Sequence, residues 1–360
     1  MLYYYQPWLL PFLKTKPDRL PGSVTCYYYL SFEDGLWDIL RQKFPGRKLH
    51  FLVPDFYCSD VLDNIKARGH KYTYYPLDNN FQISASLFRR YLWLYRPDVV
   101  IIFHACGITS DLVIDRTWLP DLPSASLLIE DSVHRLVNPA GIKFLTDNHF
   151  IIDSLRKVSP LPGSRMFVKS PEVFCPNQVN PFLSAYSMKA AFLYFVFRLL
   201  QTFGFIFNSS VLLGFAHEHL LRVHDDLVGD SPLPHGGFLI NKFLSKYFNH
   251  SRIEGLKRTQ TGWYRKYFQR VFKSDQFYPV SIPPSDYGFL HVYPLGFNHP
   301  PSQNLITYLH SKNIPVWFKF TDSPWSQKRG VLFLPLGFHV SETQVRFLAG
   351  TLLDFIQLSE

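Results

Sequence analysis

The first half of the chain alternates short apolar runs with longer segments whose apolar residues recur at helical spacing. Runs of the first kind are typical of strands, and segments of the second kind are typical of helices. The predicted strands cover 24–30, 49–53, 71–78, 96–107, 126–131 and 149–155, and the predicted helices cover 31–44, 59–69 and 84–95. Strands that alternate with helices in this way form βαβ units and a largely parallel sheet. The pattern therefore predicts an α/β fold with functional residues at the carboxyl ends of its strands.

The helix predicted from residue 31 has a clear beginning. Leu36, Trp37 and Leu40 recur at helical spacing along it. Ser31 is a suitable N-cap, and Asp34 follows three residues later, as in a capping box. Because this helix directly follows the first strand, its N-terminus is a favourable place for an anion.

The rest of the chain consists of a middle part and a tail with different patterns. Residues 176–250 are rich in Phe, Leu and His. In the tail, helices and strands alternate again. Helices are predicted over 253–272, 302–314 and 341–356, and strands over 286–295 and 331–338. We therefore predict a large α/β domain over 1–180, a helical connecting segment over 181–250 and a small C-terminal α/β domain over 251–360.

One segment of the middle part, AAFLYFVFRLLQTFGFIF (190–207), approaches the length of a membrane span, which needs about 18 apolar residues. Arg198 and Gln201 lie near its middle and Gly204 follows. An arginine at the centre of a bilayer costs at least ~2.5 kcal/mol. A buried or interface helix is therefore favoured, and a helix lying on a membrane surface is the alternative.

Composition and charge narrow the classes of function. Hydrophobic residues make up 47% of the chain and charged residues 18%, so it is not intrinsically disordered. The net charge of +9 suits a partner with phosphate or other acidic groups, but no basic block resembles a nucleic-acid arm, and we predict no nucleic-acid partner. The four cysteines, at 26, 58, 106 and 175, form no CxxC pair, and we see no secretory signal. These features predict a reduced, cytoplasmic protein.

Three features near predicted strand ends could carry chemistry. Asp131 ends the apolar run of LLIEDSVH (127–134), and Lys157 follows the strand at 149–155, just before a rigid Pro- and Gly-containing turn. The third feature is the helix N-terminus at Ser31. An acid that caps the next helix and a solvated lysine are the simpler alternatives. Together, however, the three match pyridoxal phosphate, which needs a lysine for its Schiff base, a carboxylate for its pyridinium nitrogen and a cradle for its phosphate.

At these residues the chain resembles the fold type I, or aspartate-aminotransferase-like, pyridoxal-phosphate enzymes, and among them the DegT/DnrJ/EryC1/StrS sugar aminotransferases. The resemblance extends over most of the chain, through the segments at 52–78, 99–112, 127–134, 153–168 and 333–348. It implies that Asp131 lies on the pyridine nitrogen and that Lys157 is the Schiff-base lysine. His134 falls where the family usually has glutamine, and Ser154 falls near its phosphate-binding serine. Tyr57 is our candidate for the ring that stacks on the cofactor, with a core tyrosine as the alternative.

Two segments depart from the family pattern. The family usually has a small, Gly/Thr-rich phosphate turn, whereas this chain has Glu33 and Asp34 in the first turn of the helix, and their charges would repel a phosphate. The family often has two glycines after its lysine, whereas here Gly163 is followed by Ser164 and Arg165. Arg165 would either supply the missing positive charge or block the pocket.

The resemblance implies a pyridoxal-phosphate-dependent aminotransferase that moves an amino group from an amino acid to a keto sugar, either free or carried on a nucleotide, or to a related small carbonyl substrate. It also implies a homodimer with active sites at the subunit interface. The alternative is a catalytically degenerate member that binds a ligand or partner. We predict no metal site, because the histidines at 217, 219 and 224 have no recognised ligand spacing.

Overall fold

The computed structural model describes residues 13–18, 20–157, 162–172, 174–207, 209, 211–216, 219, 233–298, 303–312, 314, 320–337 and 339–359. His217 and His224 therefore lie outside the described residues. The protein is a mixed α/β structure with one large and one small sheet.

The large sheet has seven strands in the order β1-β7-β6-β5-β4-β2-β3. The strands are β1 (Thr25–Tyr29), β2 (His50–Pro54), β3 (Lys71–Tyr75), β4 (Val99–Phe103), β5 (Leu127–Ser132), β6 (His149–Ser154) and β7 (Ser164–Val168). The five neighbouring strands β6, β5, β4, β2 and β3 pair in parallel. At one edge of the sheet, β7 pairs with β6 and β1 pairs with β7, and both of these pairs are antiparallel. This confirms the predicted fold class of a mostly parallel sheet.

The crossover helices are α1 (Phe32–Lys43), α2 (Ser59–Ala67), α3 (Ala85–Tyr95) and the short α4 (Asp111–Ile114). Ser31 is the N-cap of α1, as predicted, and its side chain accepts a hydrogen bond from the backbone of Asp34. Helix α1 packs closely on the sheet, because a Cβ atom at Gly35 would lie 3.4 Å from the ring of Tyr29. The same Cβ atom would lie 3.7 Å from the side chain of Ile152 in β6. The first turn of α1 therefore lies over the sheet face on which Ile152 stands.

The small sheet is antiparallel and has the order β10-β9-β8. Its strands are β8 (Phe277–Pro279), β9 (Val292–Phe297) and β10 (Gly330–Pro335). The helices around it are α7 (His250–Tyr267), α8 (Gln303–Ser311) and α9 (Glu342–Ser359). The segment before β9 lies against the segment that follows β4 at Gly107, where φ is +93° and a Cβ atom would lie 2.6 Å from the carbonyl oxygen of Phe289. A residue other than glycine would therefore clash here and also be strained.

Along the chain, the helices α5 (Ala185–Ile206) and α6 (Leu239–Ser245) come after the last strand of the large sheet and before the first strand of the small one. One face of α5 is buried: Ala190, Ala191, Tyr194 and Phe197 form a cluster with Phe238, the N-cap of α6. None of the helices in the described part of the chain has the length and apolar character needed to cross a bilayer.

Candidate active site

Asp131 lies at the carboxyl end of β5 and is only 2% exposed. The Tyr57 hydroxyl donates a hydrogen bond to its Oδ2 at 2.6 Å, and the backbone N–H of Val133 donates to its Oδ1 at 3.0 Å. Burial, and then the charge of Asp131, hold the pKa of Tyr57 well above its usual value, so the phenol remains a donor. Asp131 is thus a buried acceptor held in a fixed orientation.

Glu130, the residue before Asp131, points to the opposite face of the sheet and anchors β5 from that side. Its two carboxylate oxygens lie 2.9 Å from His104 Nε2 and 3.2 Å from His149 Nε2. Burial alone would raise the pKa of Glu130, but the two histidines hold it well below its usual range. The two adjacent acids therefore have different partners: Glu130 holds one face of β5 through the two histidines, and Asp131 lies on the opposite face with Tyr57.

Lys157 follows the neighbouring strand. Asp131 pairs with Ile152 of β6 in the sheet register, so Ser154, two residues further on, lies on the same face as Asp131. A single helical turn, Leu155–Lys157, comes next. The backbone N–H of Leu155 donates a hydrogen bond to the carbonyl oxygen of Gly163 at 2.8 Å and so joins the two ends of the segment that contains Lys157. The structure describes the backbone of Lys157 but not its side chain, and residues 158–161 lie outside the described residues. The cofactor roles of Lys157 and Ser154 therefore remain predictions.

Arg165 does not lie beside Asp131, so it neither supplies charge there nor blocks the site. It lies on the opposite face of the sheet, where its Nε is 3.1 Å from Asp153 Oδ2 and its Nη2 donates to the carbonyl oxygen of Val137 at 2.7 Å. Both side chains are buried. Both interpretations of Arg165 from the sequence were wrong, because the alternation along β7 turns this residue away from Asp131.

The first turn of α1 uses its polar groups within the protein. Ser31 Oγ accepts a hydrogen bond from the backbone N–H of Asp34 at 3.0 Å and donates to Asp34 Oδ2 at 2.6 Å. Asp34 Oδ1 accepts a hydrogen bond from the backbone N–H of His235 at 2.8 Å, and His235 Nδ1 lies 3.3 Å from the same oxygen. Asp34 is therefore a structural link between α1 and the segment before α6.

Glu33, beside Asp34, is close enough to Asp131 to interact with it electrostatically. It is half-buried, and the charges of Asp131 and Arg156 both act on it. Its pKa is raised to about 7, mainly by burial and also by the negative charges of Asp34 and Asp131, while Arg156 opposes the rise. Near neutral pH this carboxyl group therefore exists in both its protonated and its ionised form.

His134 is held at the boundary between the two sheets. Its Nδ1 accepts a hydrogen bond from the backbone N–H of Cys106 at 3.1 Å. Its ring stacks on those of His291 and Phe320, with centroids 5.4 and 5.9 Å away. The structure thus places His134 in an aromatic cluster near the end of β5, and its predicted contact with a cofactor remains untested.

The residues described above suit one end of pyridoxal phosphate but not the other. Asp131 has the chemistry of an acceptor for a protonated ring nitrogen, so the ring end fits. At the phosphate end, Ser31 and Asp34 already bind each other, and Glu33 adds a second carboxyl group to the same helix turn. Carboxylates near a phosphate repel it. The residues present therefore fit the ring of the cofactor but do not fit its phosphate.

The sequence singled out Asp131 and Tyr57, and the structure brings them together. Tyr57 was expected either to stack on a cofactor or to be a core tyrosine; its side chain is buried, its hydroxyl binds Asp131 and its ring meets Phe103 edge-on at 5.4 Å. Its contact with a cofactor remains a prediction. His235 and Arg156 were missed. His235 is 201 residues from its partner Asp34, and no local pattern signals such a contact. Arg156 had a signal, since it stands next to Lys157.

Comparison with solved structures identifies the architecture. The chain aligns with the Helicobacter pylori aminotransferase PseC, which is involved in pseudoaminic acid biosynthesis, at a TM-score of 0.61 and 12% identity over 99% of each chain. It aligns with the aminotransferase TlmJ of Streptoalloteichus hindustanus at a TM-score of 0.60 and 15% identity, over 94% of this chain and 87% of that chain. A DegT/DnrJ/EryC1/StrS aminotransferase of Brucella abortus gives a TM-score of 0.56 and 14% identity, over 92% of this chain and 85% of that chain.

The chain therefore has the fold of these aminotransferase structures, which is the predicted aspartate-aminotransferase-like fold. At these identities the similarity establishes the fold alone. No protein-family model matches the sequence, and no curated protein matches it.

Proposed function

We propose that this protein is a pyridoxal-phosphate-dependent, aminotransferase-like protein. The observation that carries the proposal is the buried Asp131, oriented by Tyr57 at a strand end beside the strand that leads into the Lys157 turn. Asp131 would face the ring nitrogen, and Lys157 would supply the amine that binds the cofactor. Bound pyridoxal phosphate supplies an electron-withdrawing ring that stabilises negative charge on a substrate carbon.

The amino acceptor would be a keto sugar, either free or carried on a nucleotide, or a related small carbonyl compound, and the amino donor would be an amino acid. The net charge of +9 supports a phosphate-bearing substrate. By the same likeness, two copies would form a homodimer with the active sites at their interface. These finer statements rest on the resemblance and on the neighbours with this fold.

A second candidate function is supported by the first turn of α1. Glu33 and Asp34 lie in the helix turn to which the resemblance assigns the cofactor phosphate, and Asp34 is bound to His235. In this version the protein keeps the fold and the crevice around Asp131 but binds a ligand or partner without turnover.

An absorbance spectrum separates the two candidates. Purified protein is incubated with pyridoxal phosphate, reduced with borohydride, digested and mapped by mass spectrometry. The aminotransferase proposal expects a yellow protein before reduction and a fixed pyridoxyl group on Lys157 afterwards. A protein that stays colourless at saturating cofactor, with no labelled peptide, would support the ligand-binding alternative.

The position of Glu33 predicts how cofactor binding depends on pH. Because its pKa is about 7, Glu33 is mostly neutral below pH 7 and mostly charged above it. Affinity for pyridoxal phosphate is therefore expected to rise as the pH falls from 8 to 6. Glu33→Gln is expected to bind about tenfold more tightly than the wild type at pH 8, because one repulsive charge is removed.

Fluorescence titration of the wild type and Glu33→Gln between pH 6 and 8 measures this effect. Any pH dependence that belongs to the cofactor's own phosphate is shared by both proteins, so the difference between the two curves reports Glu33. Equal affinities at every pH would show that Glu33 does not face the cofactor phosphate.

A further inference from the structure

Arg198 is a charged residue near the middle of the apolar helix α5, and its side chain is buried, with only 2% exposed. Burying a charged side chain costs free energy unless hydrogen bonds and other polar groups compensate for the lost water. An apolar side chain at this position would avoid that cost. The packing of α5 alone therefore does not explain the arginine, and the groups that it binds indicate its role.

The Arg198 guanidinium belongs to a small buried network. Its Nη1 donates a hydrogen bond to Gln201 Oε1 at 2.9 Å, and its Nη2 donates to the Tyr194 hydroxyl at 2.9 Å. Its Cζ lies 5.2 Å from the centre of the Tyr194 ring, where a cation–π contact adds to the attraction. The side chains of Tyr194 and Gln201 are also buried. Two other residues of the same helix thus hold Arg198 in one orientation.

This network ends on the backbone of the helical turn Leu155–Lys157, which we call the Lys157 turn. Arg198 Nη2 and the Tyr194 hydroxyl both donate a hydrogen bond to the carbonyl oxygen of Arg156. A carbonyl oxygen has two lone pairs, and the two donors occupy both. Arg156 directly precedes Lys157. Helix α5 therefore binds the turn at the carbonyl group that is bonded to the backbone nitrogen of Lys157.

The position of this carbonyl oxygen constrains the place where the Lys157 side chain begins. A peptide unit is planar, so the carbonyl group of Arg156 and the Cα atom of Lys157 lie in one plane. The two hydrogen bonds to the oxygen hold this plane against α5. In addition, the backbone N–H groups of Leu155 and Arg156 donate to the carbonyl oxygen of Gly163 at 2.8 and 3.3 Å. The Lys157 turn is therefore fixed both by α5 and by the residue before β7.

We propose that Arg198 and Tyr194 are positioning residues for Lys157, which they hold in place through the carbonyl group of Arg156. This role rests on the proposed function of Lys157 as the amine that binds the cofactor. Such a reaction needs the amine at a defined place, and a displacement of about 1 Å costs up to ~100-fold in rate. Two buried side chains that follow Arg156 by 38 and 42 residues would supply that precision.

Hydrogen exchange in the cofactor-free protein tests whether α5 holds the turn. Arg198→Met removes the guanidinium and keeps an unbranched apolar side chain, whereas Tyr194→Phe removes only the hydroxyl. Exchange of the backbone amides of Leu155 and Arg156 is followed by mass spectrometry. Both variants are expected to exchange these amides about tenfold faster than the wild type, because the turn opens more often when a hydrogen bond to it is lost.

The rate of cofactor fixation is a readout that a purely structural role would not change. Each folded variant is incubated with saturating pyridoxal phosphate and quenched with borohydride after increasing times, and the label on Lys157 is measured by mass spectrometry. We expect Arg198→Met to slow the appearance of the label about tenfold, because the amine is no longer held in place. Arg198→Lys, which keeps a donor, is expected to recover part of that rate.

The matched control is Phe238→Leu, which weakens the buried cluster that contains Tyr194 without removing a hydrogen bond to Arg156. It is expected to lower the unfolding temperature but to keep the amide exchange of the turn and the fixation rate of the wild type. The proposal is overturned if folded Arg198→Met and Tyr194→Phe match Phe238→Leu in both measurements. If the wild type itself fixes no cofactor on Lys157, the proposed function fails, whereas the exchange measurement still decides whether α5 holds the turn.

Discussion

Lys157→Ala is expected to abolish the fixation of pyridoxal phosphate by borohydride. Borohydride fixes the cofactor only where an amine has condensed with its aldehyde, and the resemblance assigns that amine to Lys157. The yellow colour should be lost together with the labelled peptide. Borohydride-treated wild type and variant are digested and compared by mass spectrometry, with complete loss of label at this position as the expected result.

The matched control is Lys169→Ala, which removes an exposed lysine paired with Asp147 just after β7. It should keep the full label, because Lys169 lies on the surface. A Lys157→Ala protein that still fixes the cofactor at a single site would show that another lysine supplies the amine. A label spread over many surface lysines in every protein would show that the reaction is not specific, and the aminotransferase proposal would then be wrong.

Much of the fold was predictable because local chemistry and tertiary structure agree along this chain. The spacing of Leu36, Trp37 and Leu40 predicted α1, and Ser31 predicted its start. The strands up to β6 and the helices α1, α2 and α3 followed from apolar periodicity in the same way, whereas the four-residue α4 was not predicted. Strand β8 was missed because its three residues are too few to show a period. The pairing of β1 with β7 was also missed, since periodicity does not state which strands are neighbours.

The sequence could predict a residue of the candidate site only where a chemically distinctive side chain stands at the end of a recognisable strand. Asp131 was found because it ends a buried apolar run and, together with Lys157 and the helix N-terminus at Ser31, matches what one cofactor needs. The link from Asp34 to His235 and the orientation of Arg165 depend on the sheet and on contacts far apart in sequence. Only the structure shows that the polar groups of the first turn of α1 are already bound within the protein, and therefore that the phosphate end fits less well than the ring end.

Arg165→Met is expected to lower the free energy of unfolding by about 3–5 kcal/mol, because it leaves the buried carboxylate of Asp153 without its cation. Urea unfolding followed by circular dichroism measures the loss. The double variant Arg165→Met/Asp153→Leu should lose less than Arg165→Met alone, since no buried charge is left unpaired. Arg47→Met is the matched control: it breaks an exposed pair with Asp98 and should cost at most about 1 kcal/mol.

The same substitution tests how the Lys157 turn is held. Asp153 and Arg165 flank that turn, since Asp153 pairs with Arg165 in the register of β6 and β7. Gly163, just before β7, accepts the hydrogen bond from the backbone of Leu155 that closes the turn. Arg165→Met is therefore expected to reduce cofactor fixation on Lys157 under conditions where the variant is still folded. If fixation and stability both match those of Arg47→Met, the buried pair does not hold this turn.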